Sequence, residues 1–444
     1  MTKTIYSMDE NEIYDFIKSQ LPVKLTEKNK YGEVFTDPEL INKMLDLFPS
    51  TVWSNPDLKW LDPSVGAGFF MIFVYLRLME GLSTWETNKK QRSNHIIGNM
   101  LYMVELNKTN CNICKSIFGS NVNLICGDFL ATLKFHGRDD ITFDCIVGNP
   151  PFQDDHGLTH AGKRINGGKS KLYERIFIKS YDMLKQGGYI SFVVPDNIFS
   201  GNGVKSYKIM SQNDNHVKFV SFNSNNQGYF EKIQQPVCYF ILQKGVKKEL
   251  TNIEHDEKNT FKILLKDRPV NPIRNWTLKT EKLIEKFVSS ERNNVVYNRG
   301  HSIASYKGNK YPIIYTETNT LHTNNIEFAP GLGIKKAVIF SISPDLAFKM
   351  DYDGTFGAGP NTFYIPFKTN KEGKHIESFL KSDEYKTLAL ATKTTRQYLK
   401  ISFIEHVKLT KLGTPKYKTH KMKTIRTMKL NKKSKPKKTR KQIR

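Results

Sequence analysis

The order of short apolar runs along the first half of the chain restricts the fold more than any other feature. From Tyr31 to about Gly245, runs rich in β-branched and aromatic residues alternate with segments of helical period. Two late runs, "KFVSFN" and "VCYFILQK", predict strands that pair antiparallel at an edge. The pattern indicates an α/β fold with a doubly wound, mostly parallel, seven-stranded sheet. The five earlier strands are predicted at residues 59–65, 99–106, 123–128, 143–148 and 188–195.

The chain has 444 residues, which is enough for at least two domains. Changes in composition place the boundaries. We predict an N-terminal helical segment at 1–27, the α/β domain at 28–245 and a charged, partly helical connector at 246–292. Residues 293–407 are rich in Thr, Tyr, Asn and Gly and predict a second domain of mixed α+β type. Residues 408–444 form a basic tail that we expect to be disordered.

The charge distribution indicates an acidic polymer as partner. The formal net charge is +25, and the tail contains sixteen Lys or Arg residues with no Asp or Glu, which leaves +9 for the rest of the chain. Nucleic acid is the commonest such partner, and a basic arm adds affinity by releasing counterions without reading sequence. The alternative is a tail that only increases solubility.

Membrane and secreted classes are not favoured. The longest apolar stretch, "GFFMIFVYLRLMEGL", is too short for a membrane span and contains Arg77 and Glu80, so it predicts a buried helix. The N-terminus lacks the apolar core of a signal peptide, so we expect a reducing compartment, cytoplasmic or nucleoid-associated. The tail would direct import into a nucleus if the host were eukaryotic. Cys111 and Cys114 have the C-x-x-C spacing, but no second pair follows, so we expect ordinary helix residues and no metal site.

The segment "LDPSVGAGFF" has the form of a nucleotide-type cradle. Asp62 ends a predicted strand, Gly66 and Gly68 allow close approach of the backbone to a ligand, and a helix with free N–H groups follows. A tight strand-to-helix turn is the alternative. Two further strand ends, at Glu105 and Asp128, favour the cradle over a tight turn. Glu105 lies where a doubly wound fold places a ribose-binding carboxylate. Asp128 can accept from an adenine amino group, with Phe129 as an apolar wall.

The fourth strand ends at "GNPPFQ". Pro150 and Pro151 stiffen the loop and remove two N–H donors, so that carbonyl groups and the side-chain oxygen of Asn149 are left as acceptors. Such a turn suits a planar amino group on whose ring Phe152 stacks. Base stacking of about 1–3 kcal/mol is comparable to the few kcal/mol needed to extrude a base from a duplex.

Together these motifs resemble those of the S-adenosylmethionine-dependent DNA adenine-N6 methyltransferases of restriction-modification systems. The resemblance is carried by "KYGEVFTDPEL", "DPSVGAGFF", "YMVELN", "GDF", "GNPPFQ" and "LYERIFIKSYDMLKQGGYISFVVP", in that order, over about residues 28–245. It implies a Rossmann-like methyltransferase domain followed by a DNA target-recognition domain at 293–407.

The resemblance also implies roles for individual residues. Tyr31, Phe35 and Thr36 border the methionine end of S-adenosylmethionine, while Asp62, Gly66 and Gly68 hold its amino-acid portion. Glu105 binds the ribose, and Asp128 and Phe129 take the adenine of the cofactor. Asn149 and the Pro150 carbonyl accept from the target N6, and Phe152 stacks on the flipped base. These expected positions are Tyr31, Phe35, Thr36, Asp62, Gly66, Gly68, Glu105, Asp128, Phe129, Asn149, Pro150, Pro151 and Phe152.

Double-stranded DNA is the expected partner, and a separate cognate restriction endonuclease is a further candidate. Three alternatives stay open. The first is a same-fold methyltransferase acting on RNA or on protein glutamine, although Phe152 and the second domain favour DNA. The second is a catalytically inactive DNA-binding protein. The third is a methylase with an unrecognised nuclease, although fewer than thirty residues precede the motifs and we expect no fused cutting domain.

Overall fold

A nine-stranded sheet organises the first part of the chain. The structure, a computed structural model, describes residues 5–8, 12–13, 36–131, 141–152, 171–201, 203–222, 229, 236–256, 258–300, 306–343, 345–393 and 399–409. The strand order is β3-β2-β1-β4-β5-β7-β6-β8-β9. The first five strands in this order are mutually parallel, and β7 joins the sheet antiparallel to both β5 and β6. This is the doubly wound, mostly parallel arrangement that the alternating pattern predicts.

Most strands of this sheet are short, and several of them end in a polar residue or glycine. They are β1 (Trp60–Asp62), β2 (Leu101–Glu105), β3 (Asn123–Cys126), β4 (Phe143–Gly148), β5 (Leu184–Pro195), β6 (Asn215–Ser221), β7 (Val237–Lys244), β8 (Thr251–Asp256) and β9 (Asn259–Ile263). The helices that accompany them are α1 (Pro38–Leu45), α2 (Phe69–Gly81), α3 (Lys89–His95), α4 (Lys108–Phe118), α5 (Leu172–Met183) and α6 (Lys205–Met210).

Side chains that alternate along the central strands pack into two separate cores. Trp60 packs into one core and Leu61 into the other, and Val147 and Ile146 of β4 divide in the same way. Helix α2 is apolar on most of its surface and is buried, as expected for "GFFMIFVYLRLMEGL". The sheet is therefore covered on both faces, which fixes the direction of every strand end that carries a motif.

The sheet has nine strands rather than the predicted seven. The predicted late strands, β6 and β7, pair antiparallel as expected, but they do not form the edge, because β8 adds parallel to β6 and β9 pairs with β8. Both added strands come from the segment assigned to a connector. Their residues are mostly polar and half-exposed, and Ile253 and Ile263 are their buried apolar residues, which hides the strand pattern.

A second group of elements follows the first sheet. We call residues 264–277 the connecting segment and residues 278–409 the C-terminal unit. The C-terminal unit contains a four-stranded sheet of order β10-β16-β13-β14 and a three-stranded sheet of order β12-β11-β15. Its strands are β10 (Val296–Asn298), β11 (Tyr311–Ile314), β12 (Thr320–Thr323), β13 (Lys336–Phe340), β14 (Phe348–Asp351), β15 (Gly357–Ala358) and β16 (Thr362–Pro366). Its helices are α7 (Leu278–Phe287), α8 (Asn370–Lys381), α9 (Asp383–Thr392) and α10 (Ile401–His406).

The helical stretch near the end of this unit is broken into two helices. The sequence predicts one helix over "GKHIESFLKSDEYKTLALAT", but α8 ends before Ser382. The Ser382 side chain accepts from the Tyr385 N–H at 3.2 Å and so begins α9. A serine that satisfies an N-terminal N–H is a common helix start.

Two predicted regions lie largely outside the described residues, namely the N-terminal segment at 1–27 and the basic tail beyond Leu409. Within the described part of the chain, no helix combines the length and apolar character that crossing a membrane requires.

Candidate active site

The polar strand ends gather along one edge of the nine-stranded sheet, which we call the carboxyl edge because β1 to β5 all end there. The strand order reverses between β1 and β4, which are neighbours although two strands separate them in the chain. Open α/β sheets bind ligands at such a reversal, outside the carboxyl ends of the strands. Asp62 ends β1 and Gly148 ends β4, so the cradle and the "NPPF" turn lie on either side of the reversal.

The turn after β1 has the glycine conformations and the following helix that the sequence predicts. Gly66 has φ +58°, and Gly68 has φ +94° at the start of α2. A Cβ on Gly66 would meet nothing within 4 Å, so its conformation, not crowding, favours glycine there. The hydroxyl oxygen of Ser64 is enclosed and has no hydrogen-bond partner in the described residues. An enclosed polar atom in a glycine turn fits a polar ligand group.

Asp62 lies fully inside this cradle. Its Oδ1 accepts from the Ser64 N–H at 3.0 Å, and no Lys or Arg of the described residues forms a salt bridge with it. Burial raises the pKa of Asp62 to about 8, and the nearby negative charge of Glu105 contributes to that rise. A cationic ligand group beside Asp62 would favour the ionised carboxylate.

Glu105 ties the second strand to the cradle. Its Oε2 accepts from the Gly66 N–H and its Oε1 from the Asn107 N–H, both at 2.7 Å. Glu105 therefore shapes the cradle, a role that its place in the sequence does not indicate.

Gly148 brings the fourth strand against Asp62. Its φ is +152°, and a Cβ at this position would lie 2.8 Å from Asp62 Oδ1. Only glycine allows this approach, so the sequence "VGNPPF" needs its glycine where β4 meets β1. The "NPPF" turn is thereby held next to the cradle.

Asn149 is oriented by a hydrogen bond from its amide nitrogen to the hydroxyl oxygen of Thr36, at 3.1 Å. Thr36 is buried, and it is the one member of the predicted group Tyr31, Phe35 and Thr36 that the structure describes. Because the amide nitrogen donates to Thr36, the carbonyl oxygen is the acceptor end of the Asn149 side chain. Thr36 thus contacts the predicted base-binding residue.

The remaining residues of the "NPPF" turn differ in their exposure to solvent. Pro150 is buried, Pro151 is exposed, and Phe152 is half-buried against residues of both cores. The ring of Phe152 is therefore supported from behind while part of it stays accessible. A supported aromatic ring is a suitable stacking surface for a planar group.

The third strand end differs from the expectation at Phe129. Asp128 is exposed, but the Phe129 ring lies in the core at 4% exposure. Lys179 of α5 lies 5.0 Å from the centre of that ring and donates to the Phe129 carbonyl at 2.6 Å. Leu106, directly after Glu105, is instead 70% exposed at the same edge. The sequence places a large apolar residue directly after Glu105, but the exposure of Leu106 is seen only in the structure.

A disulfide joins α4 to the end of β3. It links Cys111 and Cys126, whose Cα atoms are 6.1 Å apart, whereas Cys114 is a buried free thiol. This pairing corrects the prediction that Cys111 is an ordinary helix residue. The physical reason is the connection itself, because α4 leads from β2 to the adjacent parallel β3 and brings its first turns beside the end of that strand. Cys114 Sγ donates to the Gly66 carbonyl at 3.4 Å and so supports the cradle.

Comparison with known proteins finds a family whose profile matches the region that contains this site. Residues 11–229 match the profile of the Eco57I restriction-modification methylase family. The matched region is slightly less than half of the chain, and over this region the chain is similar to that family. The match covers the cradle, the acidic strand ends and the "NPPF" turn, and it confirms the resemblance to restriction-modification methyltransferases that the motifs indicate.

Individual relatives of this methylase region are distant. An uncharacterized adenine-specific methylase of Mycoplasma pneumoniae is 25% identical in an alignment 329 residues long, and the match covers 56% of this chain and 76% of the relative. The modification methylase CviBIII of Paramecium bursaria Chlorella virus NC1A is 30% identical over 173 residues, covering 38% of this chain and 39% of the relative. The type II methyltransferase M.BstVI of Geobacillus stearothermophilus is 24% identical, and the match covers 52% of this chain and 46% of that relative. The matched segments thus span less than half of the latter two relatives.

Among solved structures, the Type IIL restriction-modification enzyme MmeI in complex with DNA is similar to 89% of this chain. The match covers 66% of that enzyme at 12% identity, with a TM-score of 0.49. The fold of the methylase region is established here by its own strand order, since the order of β1 to β7 and the antiparallel β7 are read directly from the sheet.

Proposed function

We propose that this chain methylates N6 of an adenine in duplex DNA, with S-adenosylmethionine as the methyl donor. The observation that carries the proposal is the contact between Gly148 and Asp62, because it places an acceptor turn directly beside a cradle suited to a cationic ligand. When bound, S-adenosylmethionine supplies a methyl group already activated by its sulfonium.

The residues of the cradle fit this cofactor. The enclosed Ser64 hydroxyl and the helix that follows Gly68 suit a carboxylate, while the buried Asp62 suits an ammonium group. Glu105 accepts from the ribose hydroxyls in addition to the two backbone N–H groups that it already binds. Leu106, rather than the buried Phe129, packs against the adenine ring, and Asp128 accepts from its amino group.

The "NPPF" turn then binds the target base. Asn149, held by Thr36, presents its carbonyl oxygen to the N6 amino group, and the Pro150 carbonyl accepts the second hydrogen. Two acceptors stabilise the positive charge that develops on N6 during transfer, so no strong base is required. Phe152 stacks on the extruded base from its supported position.

The C-terminal unit is proposed to contact the DNA and select the target sequence. It supplies two small sheets with Asn, Thr and Tyr side chains on a rigid support, which base reading requires. The basic residues after Lys408 are proposed to add affinity for phosphates without selecting sequence.

The test is methyl transfer from radiolabelled cofactor to DNA, RNA and protein in parallel, followed by long-read sequencing of the DNA for N6-methyladenine. We expect label in DNA alone and modification at one short sequence. Asn149→Ala should abolish transfer while cofactor affinity changes less than about threefold, because only the target base uses that acceptor. Label in protein or RNA instead of DNA would refute the proposal, as would DNA binding without any methylation.

A further inference from the structure

The connecting segment is docked on the carboxyl edge by buried contacts. Asn271 is fully buried, and its side-chain amide donates to the Phe199 carbonyl at 2.7 Å, while its backbone N–H donates to the Ser200 carbonyl at 3.1 Å. Gly201, in the same turn after β5, has φ +128°, and a Cβ there would lie 2.2 Å from the Pro269 carbonyl oxygen. The turn after β5 and the connecting segment therefore touch backbone to backbone.

Arg274 joins this turn to the C-terminal unit with a single side chain. Its Nη1 lies 2.8 Å from Asp196 Oδ2, and Asp196 directly follows β5. Its Nε donates to the Lys393 carbonyl at 3.1 Å, and its backbone N–H donates to the Ala391 carbonyl at 2.9 Å. The planar guanidinium group binds Asp196 and the Lys393 carbonyl at once, which a lysine ammonium cannot do with the same fixed geometry.

The two side-chain contacts of Arg274 connect different parts of the protein. β5 pairs with β4 as far as Gly148 and Phe192, and Asp196 follows the end of β5, so Asp196 lies at the same edge of the sheet as the "NPPF" turn. Lys393, at the other end, donates from Nζ to the Ser343 carbonyl at 3.1 Å and so connects to the end of β13. A chain of contacts therefore runs from Asp196 at the carboxyl edge through Arg274 and Lys393 to Ser343, shortly after β13.

The carboxylate in this bridge is buried among cations. Burial raises the pKa of Asp196 to about 7, while the positive charges of Arg274 and Lys400 oppose that rise. Because the carboxyl group can take up a proton near neutral pH, loss of Arg274 need not leave an unpaired buried charge. A variant at Arg274 can therefore fold and be assayed.

We propose that Arg274 is a positioning residue that holds the C-terminal unit in register with the "NPPF" turn, so that binding of the correct sequence is coupled to methyl transfer. The inference rests on the proposed function, because it assigns recognition to the C-terminal unit and transfer to the carboxyl edge. Arg274 does not contact the reacting groups. It acts through Asp196 on one side and through the carbonyl groups at the end of α9 on the other.

The experiment compares Arg274→Met and Arg274→Lys with the matched control Arg77→Met. Arg77 of α2 is about as exposed as Arg274, and it binds Asp46 at 2.7 Å and the Asn42 side chain at 3.1 Å, so both partners lie in α1 or directly after it and outside the C-terminal unit. For each protein we would measure cofactor Kd, the methylation rate at saturating DNA and cofactor, and the ratio of methylation at the recognised sequence to that at single-mismatch sites. The thermal unfolding midpoint reports on folding.

We expect Arg274→Met to lower the saturated rate by about 10- to 100-fold and to lower the sequence ratio, with cofactor Kd within about twofold of wild type. Arg274→Lys retains a cation for Asp196 and should restore the unfolding midpoint, but not the sequence ratio. Arg77→Met should lose stability without changing the ratio. If neither Arg274 variant changes the ratio, or if Arg77→Met changes it equally, Arg274 has only a structural role. Absence of methylation by the wild-type protein would refute the proposed function instead.

Discussion

Asp62→Asn tests the electrostatics of the cradle through the pH dependence of stability. The folded protein holds the Asp62 proton up to a pKa of about 8, whereas the unfolded chain releases it near the ordinary value of 3.8. The folded state therefore binds more protons between these values, and the contribution of Asp62 to stability falls as pH rises through that range. Asparagine keeps an oxygen that accepts from the Ser64 N–H but cannot ionise.

The magnitude follows from the size of the interval. Each pH unit inside the window changes the free energy of unfolding by about 1.36 kcal/mol, so the variant should gain about 2.7 kcal/mol relative to wild type between pH 5 and pH 7. The buried amide hydrogens of the introduced asparagine add a cost that is the same at both pH values. The change with pH, and not the absolute difference, is the quantity that tests the reasoning.

The assay is urea unfolding of both proteins at pH 5, 6 and 7 without cofactor. Ser64→Ala is the matched control, because it removes an enclosed polar atom beside Asp62 but no titrating group. Its difference from wild type should not vary with pH. Parallel stability curves for wild type and Asp62→Asn would refute the electrostatic description of the cradle.

Cofactor binding should show the opposite pH trend. If the ammonium group of S-adenosylmethionine requires an ionised Asp62, wild-type affinity should rise up to about tenfold between pH 6 and pH 7, because the carboxylate fraction rises by that factor below its pKa. Asp62→Asn should bind weakly and with no such change. Isothermal titration with the cofactor would measure both, and a wild-type Kd that is constant over this range would contradict the assigned contact.

Three further predictions concern the residues at the carboxyl edge of the sheet. Gly148→Ala should cost about 1–3 kcal/mol of stability and most of the methyl transfer, since its Cβ would lie 2.8 Å from Asp62 Oδ1, whereas the control Gly203→Ala meets nothing within 4 Å and should be neutral. Reducing the Cys111–Cys126 disulfide, whose cysteines are 15 residues apart, should lower stability by about 3 kcal/mol, and Cys126→Ser should make unfolding insensitive to reductant. Leu106→Ala should weaken cofactor binding by about 1 kcal/mol without destabilising the fold. The control Leu250→Ala replaces an exposed leucine directly before β8, which is far from β2 in the strand order, and should change neither cofactor binding nor stability.

The central sheet could be predicted from the sequence because its strands are buried on both faces. Such strands appear as short apolar runs that stop at a polar residue or glycine, and β4 at Phe143–Gly148 coincides with its predicted range. Strands β8 and β9 lie at the edge and bury few side chains, so their polar sequence gives no comparable signal. The sequence therefore predicts too few strands at the edge of the sheet, where burial is least.

The residue types of the site could be predicted, but their contacts could not. Aspartate, glutamate and glycine at strand ends follow from local pattern, and the fold order brings those ends together. Which side chain turns outward depends on the path of the following loop, and this decides that Leu106 is exposed and Phe129 buried. The Cys111–Cys126 pair likewise depends on how α4 returns to β3, which spacing alone does not give.

Gly148 shows how one such contact can restrict both halves of the site. Within "GNPPF" the glycine is easily taken as part of a turn, and no local pattern indicates that its missing side chain faces Asp62. The restriction arises because β1 and β4 become neighbours at the reversal of strand order, which makes two distant segments share one small volume. If this shared space couples the methyl-donor site to the base-binding turn, Gly148→Ala should impair cofactor binding and base binding together. Asn149→Ala should impair only the second, and measuring both variants with both ligands separates the two effects.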